Sequence, residues 1–155
     1  MLEFNLVSVE QIPYIYQETT CRNDPQEIGD AMGKAFQAVW EFMQSSGVEG
    51  TGKVMAVYHT YDPETMTFRA GFSVKTDAAD KIQPPIGFDT TPSGQVVYFQ
   101  HKGAYEKLRD SYIEMETFLQ NEGLKMAAPA WEIYLNDPFV TPEEELLTDV
   151  FVALG

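Results

Sequence analysis

The sequence predicts an α+β fold: two copies of a strand–helix–strand–strand unit, related by a pseudo-two-fold axis and sharing an antiparallel sheet. Three observations carry this expectation. Two stretches have apolar residues at helical spacing, and β-patterned segments flank each of them. The element order strand, helix, strand, strand occurs twice. A shift of 76 residues brings Phe42, Gln44 and Gly47 onto Phe118, Gln120 and Gly123, Phe36 onto Tyr112, and Tyr58 onto Tyr134, while a shift of 84 brings Tyr14 onto Tyr98. Two such units would pack with both long helices on one side of the sheet and leave a ligand cleft where the halves meet.

The first half, about residues 1–76, opens with short β-like patterns at 2–9 and 12–18, the second placing Ile12, Tyr14 and Tyr16 on one face. Asp24-Pro25-Gln26-Glu27 is a helix start, with Asp as cap, Pro in the first turn and Glu at the third position. Ile28, Met32, Phe36, Val39 and Met43 then form one apolar stripe, and Gly47 ends it. Strand patterns at Val54–Thr60 and Thr67–Lys75, separated by Asp62-Pro63, read as a hairpin with Phe68, Ala70, Phe72 and Val74 sharing a face. Residues 77–94, with Pro84, Pro85, Pro92, Gly87 and Gly94, read as a linker.

The second half, about 95–155, restarts with a strand at Gln95–His101. Tyr105, Leu108, Tyr112, Met115 and Leu119 mark a second helix that Gly123 terminates; the apolar and aromatic stripes of both helices are assigned to the core. A strand at Ala130–Asn136 follows, then an acidic turn at Glu143–Glu145 and a last strand at Leu147–Leu154. In the first of these strands alternation puts Trp131, Ile133 and Leu135 on a core face, and Glu132 with Tyr134 on the other. The repeat places Ala56 opposite Glu132, so each half carries a Tyr at the matching site, Tyr58 or Tyr134, but one half alone carries a carboxylate. That asymmetry marks Glu132 as a candidate functional group.

With 24 acidic and 10 basic residues the net charge is −14, which disfavours direct nucleic-acid binding and favours cationic partners. At 155 residues the chain is expected to form a single domain with a substantial core. Without a signal-like N-terminus or an apolar run long enough to span a membrane, the expected location is cytoplasmic and away from the membrane. The single Cys21 excludes an internal disulfide, and His59 and His101 lack metal-ligand spacing, so no metal or cofactor is expected. Gly47-Val48-Glu49-Gly50-Thr51-Gly52-Lys53 imitates a phosphate loop, but Val54 replaces the Ser or Thr that would hold Mg²⁺, and the loop leads from helix to strand instead of the reverse.

Gln100-His101-Lys102-Gly103-Ala104-Tyr105, then Gly123-Leu124, then Pro129-Ala130-Trp131-Glu132-Ile133-Tyr134-Leu135-Asn136-Asp137-Pro138 resemble the GyrI-like family of small-molecule-binding domains, which also serve as effector domains of AraC-type and MerR-type transcription regulators. The resemblance covers nearly the whole chain and is most specific in the Trp-Glu-x-Tyr-Leu stretch; the first half matches weakly. It implies a cavity between the repeats in which a Glu, here Glu132, meets cationic, lipophilic, often planar ligands. Tyr134, Tyr58 and Tyr98 are candidate aromatic walls, and Trp131 completes the expected ligand-binding set. The resemblance carries two alternatives. Some members hydrolyse cyclopropane-containing genotoxins, apparently with the same Glu, and acidic members can act on DNA gyrase. A standalone small-molecule binder, monomeric or homodimeric, is the expectation. It contains no helix-turn-helix segment, so a regulatory role would need a separate DNA-binding chain.

Overall fold

Asp24 starts the first helix as expected: its Oδ2 accepts the Glu27 N–H at 3.1 Å, and Pro25 occupies the first turn. The computed structural model describes residues 2–155, and this helix, α1, spans Pro25–Ser46. Gly47 stops it in the left-handed conformation, φ 77°, returning its N–H to Met43 O at 3.0 Å. In chain order the other elements are β1 (Asn5–Val9), β2 (Pro13–Arg22), β3 (Gly50–Tyr58), β4 (Thr65–Val74), β5 (Gly87–Thr90), β6 (Gly94–Lys102), α2 (Leu108–Asn121), β7 (Met126–Tyr134) and β8 (Leu147–Leu154). Short 3₁₀ turns lie at Thr76–Lys81, Tyr105–Lys107 and Glu143–Glu145.

All eight strands form one antiparallel sheet in the order β1-β6-β8-β7-β3-β4-β2-β5. The order is symmetric about the β7–β3 junction: β2, β3 and β4 on one side correspond to β6, β7 and β8 on the other. The stretch read as a linker is partly ordered structure. It contains β5, which pairs Pro13 with Thr90 and Tyr16 with Gly87 at the edge beyond β2. β1 and β5 therefore each precede one half and pair with the other.

Two short connections run between the sheet's opposite ends. Glu10-Gln11-Ile12 links β1 to β2, and Thr91-Pro92-Ser93 links β5 to β6. Links this short require the sheet to curl until its ends approach. They meet and bond: Thr91 N–H donates to Ile12 O at 3.0 Å, and Ile12 N–H donates to Thr91 Oγ1 at 2.9 Å. Curling buries the face turned away from the helices, where Val7 and Val9 of β1, Val96 of β6, Met55 and Val57 of β3, Trp131 and Ile133 of β7, and Tyr14 of β2 share one cluster.

Both helices cover the other face. Ala70, Ala56, Glu132, Val150 and Phe99 lie abreast on β4, β3, β7, β8 and β6. Ala70 packs in the cluster beneath α1, and Val150 and Phe99 in the cluster beneath α2. Glu132 thus lies between the helices, above the central strands. Leu135 departs from the expected core face. It lies just past the end of β7, where its N–H still donates to Leu147 O at 3.0 Å, and its side chain is 45% exposed.

Gly71 holds β2 against β4. A Cβ there would stand 1.8 Å from the carbonyl oxygen of Ile15, and backbone cannot step aside like a flexible side chain. Gly71→Ala is expected to destabilise the fold by about 3 kcal/mol, read as a lower urea midpoint.

Candidate functional site

Glu132 is 3% exposed, and three tyrosine hydroxyls from three different elements surround its carboxylate. Tyr134, two residues along β7, donates to Oε1 at 2.7 Å. Tyr112 reaches down from α2 and donates to Oε2 at 2.7 Å. Tyr58, at the end of β3, donates to Oε1 at 3.4 Å. Strand phase places Tyr58 and Tyr134 beside Glu132, and the small Ala56 opposite it leaves room for the carboxylate. The rings are held in turn: Tyr134 packs edge-on against Tyr105 at 5.3 Å and Phe36 at 6.3 Å, and Tyr112 against Phe99 at 5.9 Å. Met32 Sδ lies 3.7 Å from the Tyr134 hydroxyl.

No Lys or Arg among the described residues forms an ion pair with Glu132. Burial pushes its pKa above the ordinary carboxylate range. The three tyrosine hydrogen bonds, and more weakly the nearby His101, pull in the opposite direction without cancelling that effect. Burial, reinforced by the adjacent carboxylate, also holds the phenols of Tyr58, Tyr112 and Tyr134 well above 10. The arrangement is a buried carboxyl group held by three phenol hydrogen bonds among aromatic side chains. Among the described residues, no cluster of three or more His, Cys, Asp or Glu is arranged to hold a metal ion.

Of the five residues expected in the site, the structure brings together Glu132, Tyr134 and Tyr58. Tyr98 and Trp131 lie on the opposite face, in the row Arg69, Val57, Trp131, Phe151, Tyr98, Asn5 across six strands. Trp131 stacks on Phe151 at 5.6 Å in the core that the curled sheet encloses, and Tyr98 donates to Asp149 Oδ1 at 2.7 Å. The physical reason is strand alternation: a residue adjacent in sequence to Glu132 points away from it. The site also contains residues that were assigned to helix core stripes, namely Tyr112, Tyr105, Phe36 and Met32. For the two tyrosines a signal was present. A Tyr in an apolar stripe carries a hydroxyl that needs a partner once buried, whereas Phe or Leu does not.

The model of the GyrI-like small molecule binding domain matches residues 2–154. The chain belongs to the GyrI-like family. No curated protein sequence matches it. Among solved structures, this GyrI-like chain is similar to the EcmrR C-terminal domain, with a TM-score of 0.81 and 18% identity over 100% of this chain and 98% of that one. It matches EcmrR in a DNA complex equally well by TM-score, 0.81, at 16% identity over 99% of its own length, but spans 57% of that longer chain. It is also similar to SAV2435 bound to tetraphenylphosphonium, with a TM-score of 0.67 and 15% identity over 99% of this chain and 94% of that one. A hydrolase from Listeria innocua matches with a TM-score of 0.66 and 15% identity, covering 99% and 92%. At these identities the likeness concerns the fold. No helix among the described residues is long and apolar enough to cross a membrane.

Proposed function

We propose that this GyrI-like chain binds lipophilic aromatic cations between α1 and α2, with Glu132 neutralising the ligand's charge. The observation that carries this reading is a buried carboxylate, ringed by aromatic side chains, with which no Lys or Arg among the described residues forms an ion pair. An ionised carboxylate in such a place is costly until a cation arrives. At about 4 Å and an effective dielectric of about 20, the attraction is roughly 4 kcal/mol before desolvation is subtracted. Each well-placed aromatic face adds about 0.5–2 kcal/mol. Micromolar affinity, about −8 kcal/mol, is within reach once apolar ligand surface is buried as well. Tetraphenylphosphonium, the ligand of the neighbour SAV2435, is a cation of this chemical class.

Binding suits the surroundings of Glu132 better than hydrolysis does. Its hydrogen-bond partners are phenols held well above 10, which are poor proton donors at neutral pH.

Titrating a planar cationic dye and its neutral isostere across pH tests the proposal. A cation selects the ionised carboxylate, and Glu132 in the empty protein gains its proton at a higher pH than an ordinary Glu. Cation affinity is therefore expected to be flat at high pH. It should fall as pH drops through the raised pKa, by about tenfold per pH unit below it, with one proton released per ligand bound. The neutral isostere should bind more weakly and show no such slope. Equal affinities and parallel pH profiles for the two dyes would sink the proposal.

A further inference from the structure

A second feature of the same face adjoins the Glu132 cluster through Phe36. Beside α1 runs an open groove of about 760 Å³, lined by Phe36, Trp40, Glu41 and Phe72 among others. The groove is shallow and open to solvent, so it offers a face to stack on and does not enclose a ligand. Trp40 is 53% exposed, the one of the chain's two tryptophans that meets solvent, since Trp131 is 1% exposed. Its ring is 6.2 Å from Phe72, Phe72 is 5.8 Å from Phe36, and Phe36 is 6.3 Å from Tyr134, which donates to Glu132. An unbroken run of aromatic rings thus leads from the buried carboxylate to the surface. Glu41 stands at the outer end, where its Oε1 accepts from Gln37 Nε2 at 3.2 Å; among the described residues no Lys or Arg pairs with it.

We infer that the groove is an outer subsite that takes the distal aromatic cation of an elongated, doubly charged ligand whose inner cation sits at Glu132. The inference rests on the binding proposed for Glu132 and adds a ligand class to it. Tryptophan offers the best aromatic face for a cation, and a carboxylate beside it favours charge over a neutral ring. Both groups are exposed, so the outer end contributes less than the buried one. Its effect is selectivity for length and for a second charge. A short cation satisfies Glu132 alone, whereas a long dication engages both ends of the aromatic run and gains the effective concentration of a linked group.

The experiment titrates two probes, a decamethylene-bridged bis-quinolinium and N-decylquinolinium, on wild type, Trp40→Ala, Glu41→Gln and Glu132→Gln, by calorimetry and by tryptophan emission. The dication is expected to bind wild type about tenfold more tightly than the monocation and to quench Trp40 emission, leaving the buried Trp131 as the residual signal. Trp40→Ala should remove the dication's advantage and leave the monocation unchanged. Glu41→Gln should reduce that advantage about threefold. Trp40 is exposed, so its truncation should leave the fold intact, and retained Trp131 emission and an unchanged melting temperature check this. An advantage that survives Trp40→Ala, or a monocation weakened as much as the dication, overturns the subsite. Glu132→Gln separates the two proposals. If it leaves both probes unaffected, the role of Glu132 fails, while an advantage that still depends on Trp40 upholds the groove as a binding site. If neither probe binds wild type, both proposals fall.

Discussion

Glu132→Gln is expected to lower the affinity for a planar cation by about tenfold to a hundredfold, to abolish the preference for that cation over its neutral isostere, and to make the empty protein more stable. The first two effects follow from removing the charge while keeping the shape: the amide oxygen still accepts from one of Tyr112 and Tyr134, the other hydroxyl turns to accept from the amide NH2, and neither atom attracts a cation. The third follows from the pKa. Because folding raises it, the stability this carboxyl contributes is fully present below the ordinary carboxylate pKa, where the group is protonated. That contribution is lost as pH rises through the raised folded value. Gln has no such charge to desolvate. The variant should therefore gain about 1 kcal/mol at neutral pH, a rise of about 2–4 °C in Tm, and lose the advantage in acid. A variant that binds cations like wild type, or melts lower at neutral pH, would contradict this account. The opposed signs separate a functional carboxylate from a structural one, which would cost stability when replaced.

Trp131→Ala is expected to destabilise the protein by about 3–5 kcal/mol, and Trp131→Phe by much less, with cation affinity unchanged in the folded Phe variant. Trp131 is 1% exposed, and its side chain lies on the face of the sheet opposite Glu132. It fills the space enclosed by the curled sheet, stacked at 14° to the Phe151 ring among Tyr14, Met55, Val57 and Ile133. Truncation leaves a cavity that strands from both ends of the sheet would have to collapse to fill. Urea unfolding of the two variants, with dye titration of the Phe form, checks both parts. Altered cation binding in Trp131→Phe would return this residue to the site.

The adjacent pair Trp131-Glu132 shows what sequence could and could not resolve. Alternation separates the two faces of β7, so Glu132, Tyr134 and, through the repeat, Tyr58 were legible as one group. Alternation does not say which face of a distant strand joins that group. Placing Tyr98 requires the register from β6 through β8 to β7, which is set by pairings far apart in the chain. The stripe of α2 was legible as buried, but not that Tyr112 would aim its hydroxyl at a carboxylate on another element. The first helix was readable almost to the residue, because the Asp24 cap and the Gly47 stop are local chemistry. The strand β5 was not. It has four residues among prolines and pairs on one side only, so it needs no strong pattern of its own.

The exchanged first strands also affect how the chain reaches this fold. Asn5 finds its partner at Tyr98, so β1 cannot dock until most of the polypeptide exists. β2 keeps its outer edge open until β5 is made. Pairings this distant give a high contact order and slow folding compared with helical bundles of similar size. As the nascent chain leaves the ribosome, its first half carries an unprotected strand edge, and that interval is when self-association competes most directly with folding.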